Sequence, residues 1–227
     1  MKALIFDVFG TLVDWRSSIA RQMAPHMPGG DAAAFADAWR ARYQPAMEEV
    51  RAGRRPFVPL DTLHRENLDD VLAAHGLDPD QPTRAEMTAF WHHLDAWPDV
   101  TDALARLETR YILAPHSNAN VRLMLDMARH NGWRWDCILG AETTGHYKPV
   151  RESYTRAAEI LMLPPAEVVM VAAHNADLAA AREAGLSTAF FPRPHEHGPG
   201  QTIDLTAEAA WDLIAVDLAD LATQLGF

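Results

Sequence analysis

The chain has 227 residues, and its 20 basic and 31 acidic side chains give a net charge of −11, which argues against nucleic acid as the main partner because phosphate binding needs a basic face. No apolar run reaches the roughly 18 residues that a membrane span needs, and the first residues lack the pattern of a signal peptide, so we expect a cytoplasmic protein. Cys137 is the only cysteine, which excludes an intramolecular disulfide and a zinc site built from cysteines.

The first part of the chain is predicted to be one strand followed by helices. Residues 3–8 form an apolar run that predicts a short buried strand, which ends at the turn Gly10-Thr11. From about 16 to 95 the pattern is helical and contains few strand-like runs. The helical segments lie at 32–52, 60–75 and 83–95, and the predicted N-cap of the third is Thr83.

After Pro98 strands and helices alternate. The predicted strands lie at 111–114, 137–139, 168–171 and 187–191, and the helices at 100–109, 119–131, 151–162 and 176–184, with a weak strand and a helix within 211–225. This alternation indicates βαβ units with helices on both faces of a parallel sheet. We therefore expect an α/β fold, a doubly wound, Rossmann-like core formed by 1–14 and 97–227, with 15–96 inserted as a helical cap domain.

Polar side chains follow four of the predicted strands. In an open parallel sheet, ligands bind outside the carboxyl ends of the strands, so these side chains are expected at one edge. They are Asp7 after the first strand, His116, Ser117 and Asn118 after the second, Lys148 in the loop after the third, and His174, Asn175 and Asp177 after the fourth.

Asp7 is the most informative of these residues. An ionised carboxylate among apolar neighbours costs several kcal/mol unless a cation or hydrogen bonds offset that cost. Lys148 and the backbone N–H groups of the Gly10-Thr11 turn are the candidates for this role. The alternative interpretation is an acid that caps a turn or a helix start.

Four ordered motifs carry a resemblance to a known family. Phe6-Asp7-Val8-Phe9-Gly10-Thr11-Leu12, Ser117-Asn118, Lys148-Pro149 and Val171-Ala172-Ala173-His174-Asn175-Ala176-Asp177 resemble the motifs of the haloacid dehalogenase superfamily. The resemblance covers nearly the whole chain and implies a core with a cap inserted after the first motif.

Two positions separate this chain from the phosphatases of that superfamily. Phosphatases of the superfamily have a second aspartate two residues after the nucleophile, and this chain has Phe9 at that position. They also have two adjacent acidic residues in the last motif, and this chain has Ala173 at the position of the first of these. Without both acids, proton delivery to an alkoxide and magnesium binding are difficult. Phe9 resembles instead the aromatic residue of the type II 2-haloacid dehalogenases, a branch that implies neither metal nor cofactor.

Further matches favour the same branch. Trp39-Arg40 resembles its halide-binding Trp-Arg pair, and Tyr154 stands six residues after Lys148, as in its Lys-Pro…Tyr signature. Taken alone, Arg40 would be a solvated residue on a helix face and Tyr154 a residue packed on the sheet. The Ser117-Asn118 pair alone would be a helix N-cap.

The resemblance implies a mechanism and a partner, a small 2-haloacid. Asp7 would displace the halide, which Arg40 and Asn118 receive, and water activated by Asp177, with help from His174, would hydrolyse the resulting ester. Thr11, Ser117, Lys148 and Tyr154 complete the assigned site, in which the substrate carboxylate lies against Ser117. The family also implies a homodimer.

Two alternatives remain open at this point. One is a phosphatase in which His174 replaces the missing aspartate, and the other is a catalytically weak binding protein. The remaining histidines show no metal-ligand spacing, and His195-Glu196-His197 is interpreted as an exposed part of the Pro/Gly/His-rich loop at 192–200.

Overall fold

The computed structural model describes all of residues 1–227. Its strands are β1 (Ala3–Phe6), β2 (Val13–Asp14), β3 (Asp95–Ala96), β4 (Ile112–Ser117), β5 (Leu139–Gly140), β6 (Val168–Ala172), β7 (Ser187–Phe190) and β8 (Leu213–Ile214). Its α-helices are α1 (Trp15–Met23), α2 (Ala32–Ala41), α3 (Tyr43–Arg51), α4 (Leu60–Ala74), α5 (Gln81–Thr88), α6 (Val100–Leu107), α7 (Val121–Asn131), α8 (Ala141–Thr144), α9 (Arg151–Ile160), α10 (Asn175–Glu183) and α11 (Leu218–Gln224). Short 3-10 turns lie at Ala24–His26, Ala89–His92 and Pro165–Glu167.

Six strands form one parallel sheet in the order β5-β4-β1-β6-β7-β8, which confirms the predicted α/β fold. In the centre, Ile5 of β1 lies opposite Ala114 of β4 and Met170 of β6. Every residue of β1 is buried because helices cover both faces, which explains why the sequence of this strand is a continuous apolar run. Strand alternation then sends Leu4 and Phe6 to one face and Ala3 and Ile5 to the other.

The two faces pack against different parts of the chain. The face of Leu4 and Phe6 belongs to a large apolar core that continues into the inserted helices through Phe35, Trp39 and Leu63. The face of Ala3 and Ile5 packs in a smaller core with residues of α9 and α10. The inserted helices therefore share their core with the sheet from one side only. None of the helices is long and apolar enough to cross a membrane.

The predicted long helix at 32–52 is two helices, α2 and α3, which separate at Arg42. Pro45 explains the separation, because proline has no N–H to donate to the carbonyl of Ala41. In the first turn of α3 that missing donor costs little, since the N–H groups of a first turn have no partner within the helix.

The predicted N-cap Thr83 is wrong by three residues. The helix α5 begins after Asp80, whose Oδ1 accepts a hydrogen bond of 2.9 Å from the backbone N–H of Thr83. An aspartate before a Pro-containing first turn is a strong start signal, since its carboxylate satisfies a free N–H group.

A short antiparallel ribbon that the sequence did not reveal joins the two ends of the inserted segment. Val13 of β2 pairs with Ala96 of β3, and Asp14 pairs with Asp95. The chain therefore leaves the core and returns to it through neighbouring strands. The domain bounds at 14/15 and 96/97 stay a prediction.

Candidate active site

Side chains from all four predicted strand ends meet at the carboxyl edge of the sheet, namely Asp7, Asn118, Lys148, His174 and Asp177. Asn175 is an exception, because its side chain bonds instead to Asp204 and Trp211. Asp7 directly follows β1, and His174 lies between β6 and α10. The ammonium nitrogen of Lys148 lies 2.9 Å from Asp7 Oδ1 and 2.5 Å from Asp177 Oδ2. The side chain of Lys148 thus links the first motif to the last.

Asp7 is buried and receives three hydrogen bonds. Lys148 Nζ donates to Oδ1, whereas Thr11 Oγ1 at 2.8 Å and His174 Nδ1 at 2.9 Å bond to Oδ2. Burial would raise the pKa of Asp7, but the positive charge of Lys148 and the contacts with His174 hold that pKa well below its usual range. The expected backbone N–H donors of the Gly10-Thr11 turn do not contact the carboxylate, and the hydroxyl of Thr11 replaces them.

Lys148 is fixed by its backbone as well as by its ammonium group. Its N–H donates to Asn118 Oδ1 at 2.7 Å, and its carbonyl accepts from Arg51 Nη1 of α3 at 3.0 Å. Burial would lower the pKa of Lys148, but Asp177 and Asp7 raise it above the usual value. The side chain therefore remains a cation between two carboxylates.

Asp177 is held by Tyr154 as well as by Lys148. The Tyr154 hydroxyl, fully buried, donates to Asp177 Oδ1 at 2.5 Å. Burial and the nearby charge of Asp7 raise the pKa of Asp177 although Lys148 opposes the rise. Burial and Asp177 also raise the pKa of Tyr154, so this hydroxyl keeps its proton. In this arrangement Tyr154 contacts Asp177 rather than Asp7.

His174 bridges two carboxylates. Its Nδ1 lies 2.9 Å from Asp7 Oδ2, and its Nε2 lies 2.8 Å from Glu196 Oε2. Burial would lower the pKa of His174, but the charges and hydrogen bonds of Glu196 and Asp7 raise it well above the usual value. Both ring nitrogens therefore carry protons, and the ring is an imidazolium.

Glu196 is the site residue that the sequence interpretation missed. It was expected in an exposed loop, but it is only 1% exposed, so that expectation is wrong for this residue. Its Oε1 accepts from Trp15 Nε1 at 3.1 Å, and its carboxylate lies directly over Gly10. An acidic residue in an irregular loop carries no periodicity that predicts burial, so the pattern alone gave no signal.

Arg40 reaches the site from the inserted helix α2. Its guanidinium carbon lies 4.0 Å from the ring centroid of Tyr43 and 5.9 Å from that of Phe9. One guanidinium nitrogen, Nη1, is buried without a hydrogen-bond partner. The guanidinium of Arg40 thus packs on aromatic rings and is not freely solvated on the helix surface. One of these rings belongs to Phe9, two residues along the chain from Asp7.

Ser117 and Asn118 follow β4 and are both buried. Ser117 Oγ accepts from the N–H of Ala119 at 3.2 Å, as in a local turn, and Asn118 Oδ1 is used by Lys148. His116, buried on the same strand, has a pKa lowered to about 3 by burial and therefore remains neutral.

A second group of polar residues lies beside Phe9 and was also missed. His64 of α4 stacks on Trp91 with ring centroids 4.5 Å apart, and burial lowers the pKa of His64 to about 3. Both ring nitrogens of His64, the Nε1 of Trp91 and the Nδ2 of Asn67 are buried without partners. These residues line the inserted segment beside Phe9, two residues along the chain from Asp7.

The acids that would distinguish a magnesium-dependent phosphatase are replaced here. Phe9 is packed edge-on against Trp91, with ring centroids 5.6 Å apart, and Ala173 is buried. No group of three or more His, Cys, Asp or Glu side chains is arranged to hold a metal ion. The cations that contact Asp7 in this structure are the ammonium group of Lys148 and the imidazolium of His174.

The fold and this site define a hydrolase of the haloacid dehalogenase-like family. The model of the haloacid dehalogenase-like hydrolases matches residues 1–185, and the chain belongs to this family.

Among individual proteins, the chain is 29% identical over 197 residues to an (S)-2-haloacid dehalogenase of Xanthobacter autotrophicus, covering 85% of this chain and 76% of that protein. Its structure resembles those of a defluorinating L-2-haloacid dehalogenase and of a second L-2-haloacid dehalogenase. Each of the two comparisons gives a TM-score of 0.96 and a sequence identity of 49% and covers 99% of this chain. The matched part is 95% of the defluorinating enzyme and 98% of the second enzyme.

Proposed function

We propose that the protein is a hydrolytic 2-haloacid dehalogenase that converts a short 2-haloalkanoic acid into the 2-hydroxy acid. The observation that carries the proposal is the buried carboxylate of Asp7, paired with Lys148 and flanked by Phe9 where a phosphatase needs an acid. The similarity to L-2-haloacid dehalogenases at 49% identity supports the same reaction.

The first step is a displacement at C2. A carboxylate oxygen of Asp7 forms a bond to C2 while the carbon–halogen bond breaks, and the halide leaves with the electron pair. Arg40, together with the Nδ2 group of Asn118, receives the developing negative charge. The apolar surroundings of Asp7 keep water away from the nucleophile, and Lys148 keeps it ionised.

The second step is hydrolysis of the ester on Asp7. Water adds to the ester carbon, and Asp177 accepts a proton from it. A raised pKa suits Asp177 for this role because it brings the group closer to the working pH. Lys148 and Tyr154 hold Asp177 in place. Thr11 and Ser117, with backbone N–H groups before α7, position the reacting carboxylate and the carboxylate of the substrate.

The inserted segment completes the proposed enzyme. We assign residues 15–96 to a cap domain that closes over the core formed by 1–14 and 97–227, and Arg40 is the residue it contributes to the halide site. We also propose that the protein is cytoplasmic and forms a homodimer. Light scattering during size-exclusion chromatography would measure the mass of the assembly and so test the dimer.

The decisive experiment measures halide release from a panel of 2-haloacids, including both enantiomers of 2-chloropropionate and fluoroacetate, with and without EDTA. We expect release that persists in EDTA and favours the (S) enantiomer. Magnesium-dependent release of phosphate from an aryl phosphate, without halide release, would contradict the proposal in favour of a phosphatase. Ligand binding without release of either product would indicate a binding protein.

A further inference from the structure

One imidazole ring connects the nucleophile to a second buried carboxylate. The bond from His174 to Asp7 is 2.9 Å long and that to Glu196 is 2.8 Å long, so the three side chains form a continuous row. Glu196 lies in the loop between β7 and β8. Its second carboxylate oxygen, Oε1, accepts a hydrogen bond from Trp15 Nε1 at the start of α1. Neither step of the proposed reaction uses Glu196.

We propose that His174, held in place by Glu196, is the oxyanion donor for hydrolysis of the ester on Asp7, and that Glu196 is its positioning residue. This inference rests on the proposed dehalogenase function, since it concerns the second step of that reaction.

The hydrogen bonds of Asp7 show which oxygen attacks. A carboxylate oxygen has two lone pairs in its plane. Oδ2 uses both, with Thr11 and His174, whereas Oδ1 accepts only from Lys148. Oδ1 therefore has the free lone pair and becomes the ester oxygen. Oδ2 then becomes the ester carbonyl oxygen, already bonded to two donors at 2.8 and 2.9 Å, the range that an oxyanion site requires.

The balance of the second step fits this arrangement. The water oxygen adds to the ester carbon, one of its protons goes to Asp177, and the electron pair of the carbonyl bond moves onto Oδ2. When that pair returns, the bond from the ester carbon to Oδ1 breaks, and Oδ1 leaves with the bond pair as the hydroxyl oxygen of the 2-hydroxy acid, taking the proton from Asp177. The carboxyl group of Asp7 then consists of Oδ2 and the oxygen of the water. The second water proton is released as Asp7 ionises again. His174 keeps its proton throughout.

Glu196 keeps that proton on His174 when Asp7 becomes a neutral ester. At that stage His174 loses one of its two anionic partners, and Glu196 is the one that remains. The charged or titratable groups around this pair are Asp7 and Glu196 on His174, and His197 and Arg40 near Glu196. Burial would raise the pKa of Glu196, but His174 lowers it, so Glu196 stays ionised.

The test is rapid-quench analysis of Glu196→Gln with (S)-2-chloropropionate, followed by mass spectrometry of the peptide that contains Asp7. We expect a first equivalent of halide at nearly the wild-type rate, a turnover reduced about 10- to 100-fold, and an accumulated ester. The exposed Glu208→Gln is the matched control and is expected to behave like the wild type.

Two histidine variants separate a donor from a base. His174→Asn retains an N–H donor near the position of Nδ1 but no base, so it is expected to hydrolyse the ester faster than His174→Ala. Equal hydrolysis rates in these two variants would overturn the donor role, and a folded Glu196→Gln enzyme that accumulates no ester would overturn the role of Glu196. A wild-type protein that releases no halide would overturn the proposed function, and the inference with it.

Discussion

Lys148 and Asp7 form a buried ion pair whose two atoms, Nζ and Oδ1, lie 2.9 Å apart. The chain contains only two lysines, and the other, Lys2, pairs with Glu167 on the surface. Neither partner of the buried pair is stable alone, because removing one leaves an uncompensated charge in an apolar environment. The pair therefore links folding to the ionisation of Asp7, the proposed nucleophile.

Replacing Lys148 by glutamine is expected to raise the pKa of Asp7, because the burial that opposes ionisation would no longer be offset by an ammonium group. We expect activity to fall by about 100-fold or more and the acid limb of the pH profile of kcat/KM to move to higher pH. The control is Lys2→Gln, and circular dichroism reports whether the variant is folded. An unchanged acid limb in a folded variant would contradict this account of Asp7.

Asp7→Asn is expected to abolish halide release, by at least about 1000-fold, because an amide is not a competent nucleophile. The peptide that contains residue 7 should show no added mass after incubation with substrate. Retention of most of the activity would exclude Asp7 as the nucleophile.

Arg40→Lys keeps the charge but loses the planar group that stacks on Tyr43, so we expect the displacement step to slow by about 10- to 100-fold. Hydrolysis of a preformed ester should change much less. Arg42→Lys is the matched control, since Arg42 lies two residues away and pairs with Asp70 at the surface. Equal slowing of both steps would remove Arg40 from the halide site.

Gly10→Ala is expected to disturb Glu196, because a Cβ at residue 10 would lie 2.0 Å from Glu196 Oε1. Gly53→Ala is a matched control: Gly10 and Gly53 have φ of +85° and +69°, but a Cβ at Gly53 meets nothing within 4 Å. Each variant should lose about 1 kcal/mol in the free energy of unfolding from backbone strain. Only Gly10→Ala should also slow ester hydrolysis, and equal kinetics for both variants would contradict the proposed contact.

The stability of the junction between α4 and α7 is expected to depend on pH through His92. His92 Nδ1 lies 2.9 Å from Asp126 of α7, and its Nε2 lies 3.1 Å from Asp61 of α4. Burial would lower the pKa of His92, but the two carboxylates raise it above the usual value, while Arg122 competes for Asp126. A raised pKa in the folded state means that the contribution is complete below the pKa of the unfolded chain and is lost as pH rises through the folded value.

The variant His92→Gln should therefore lose about 2 kcal/mol at acidic pH and less at alkaline pH. Urea unfolding at several pH values measures this difference, and the exposed neighbour His93 provides the control His93→Gln. A stability loss that is independent of pH would show that the charge of His92 is not involved.

The sequence predicts the sheet and the four strand ends because both follow simple rules, the alternation of strands with helices and the placement of ligand sites at carboxyl ends. The contact of Lys148 with Asp7 follows from those rules together with the cost of burying a charge. The burial of Glu196 cannot be predicted from those rules, because the residues of its loop follow no period and because the burial depends on the path of the whole chain. His64 was not predicted as a site residue although its helix follows a clear period. It lies on the buried face of α4 among ordinary apolar residues, so the pattern does not distinguish it from them.

The errors within the inserted segment are local. Pro45 divides one apparent helix, and the carboxylate of Asp80 starts another helix earlier than the Thr83 pattern indicated. At the Pro45 boundary the buried residues Trp39, Tyr43 and Met47 keep a four-residue spacing across the break, so the apolar period alone does not show where a hydrogen bond is lost.

The ribbon of β2 and β3 makes the inserted segment exchangeable in principle. Directly paired residues of antiparallel strands have Cα atoms about 5 Å apart, so Asp14 and Asp95 present the core with two ends that a short turn could join. A segment of any length that begins and ends on such a pair leaves the register of the six-stranded sheet unchanged. Recombination at this ribbon would replace Arg40 and the rest of the inserted segment while keeping Asp7 and Lys148 in place.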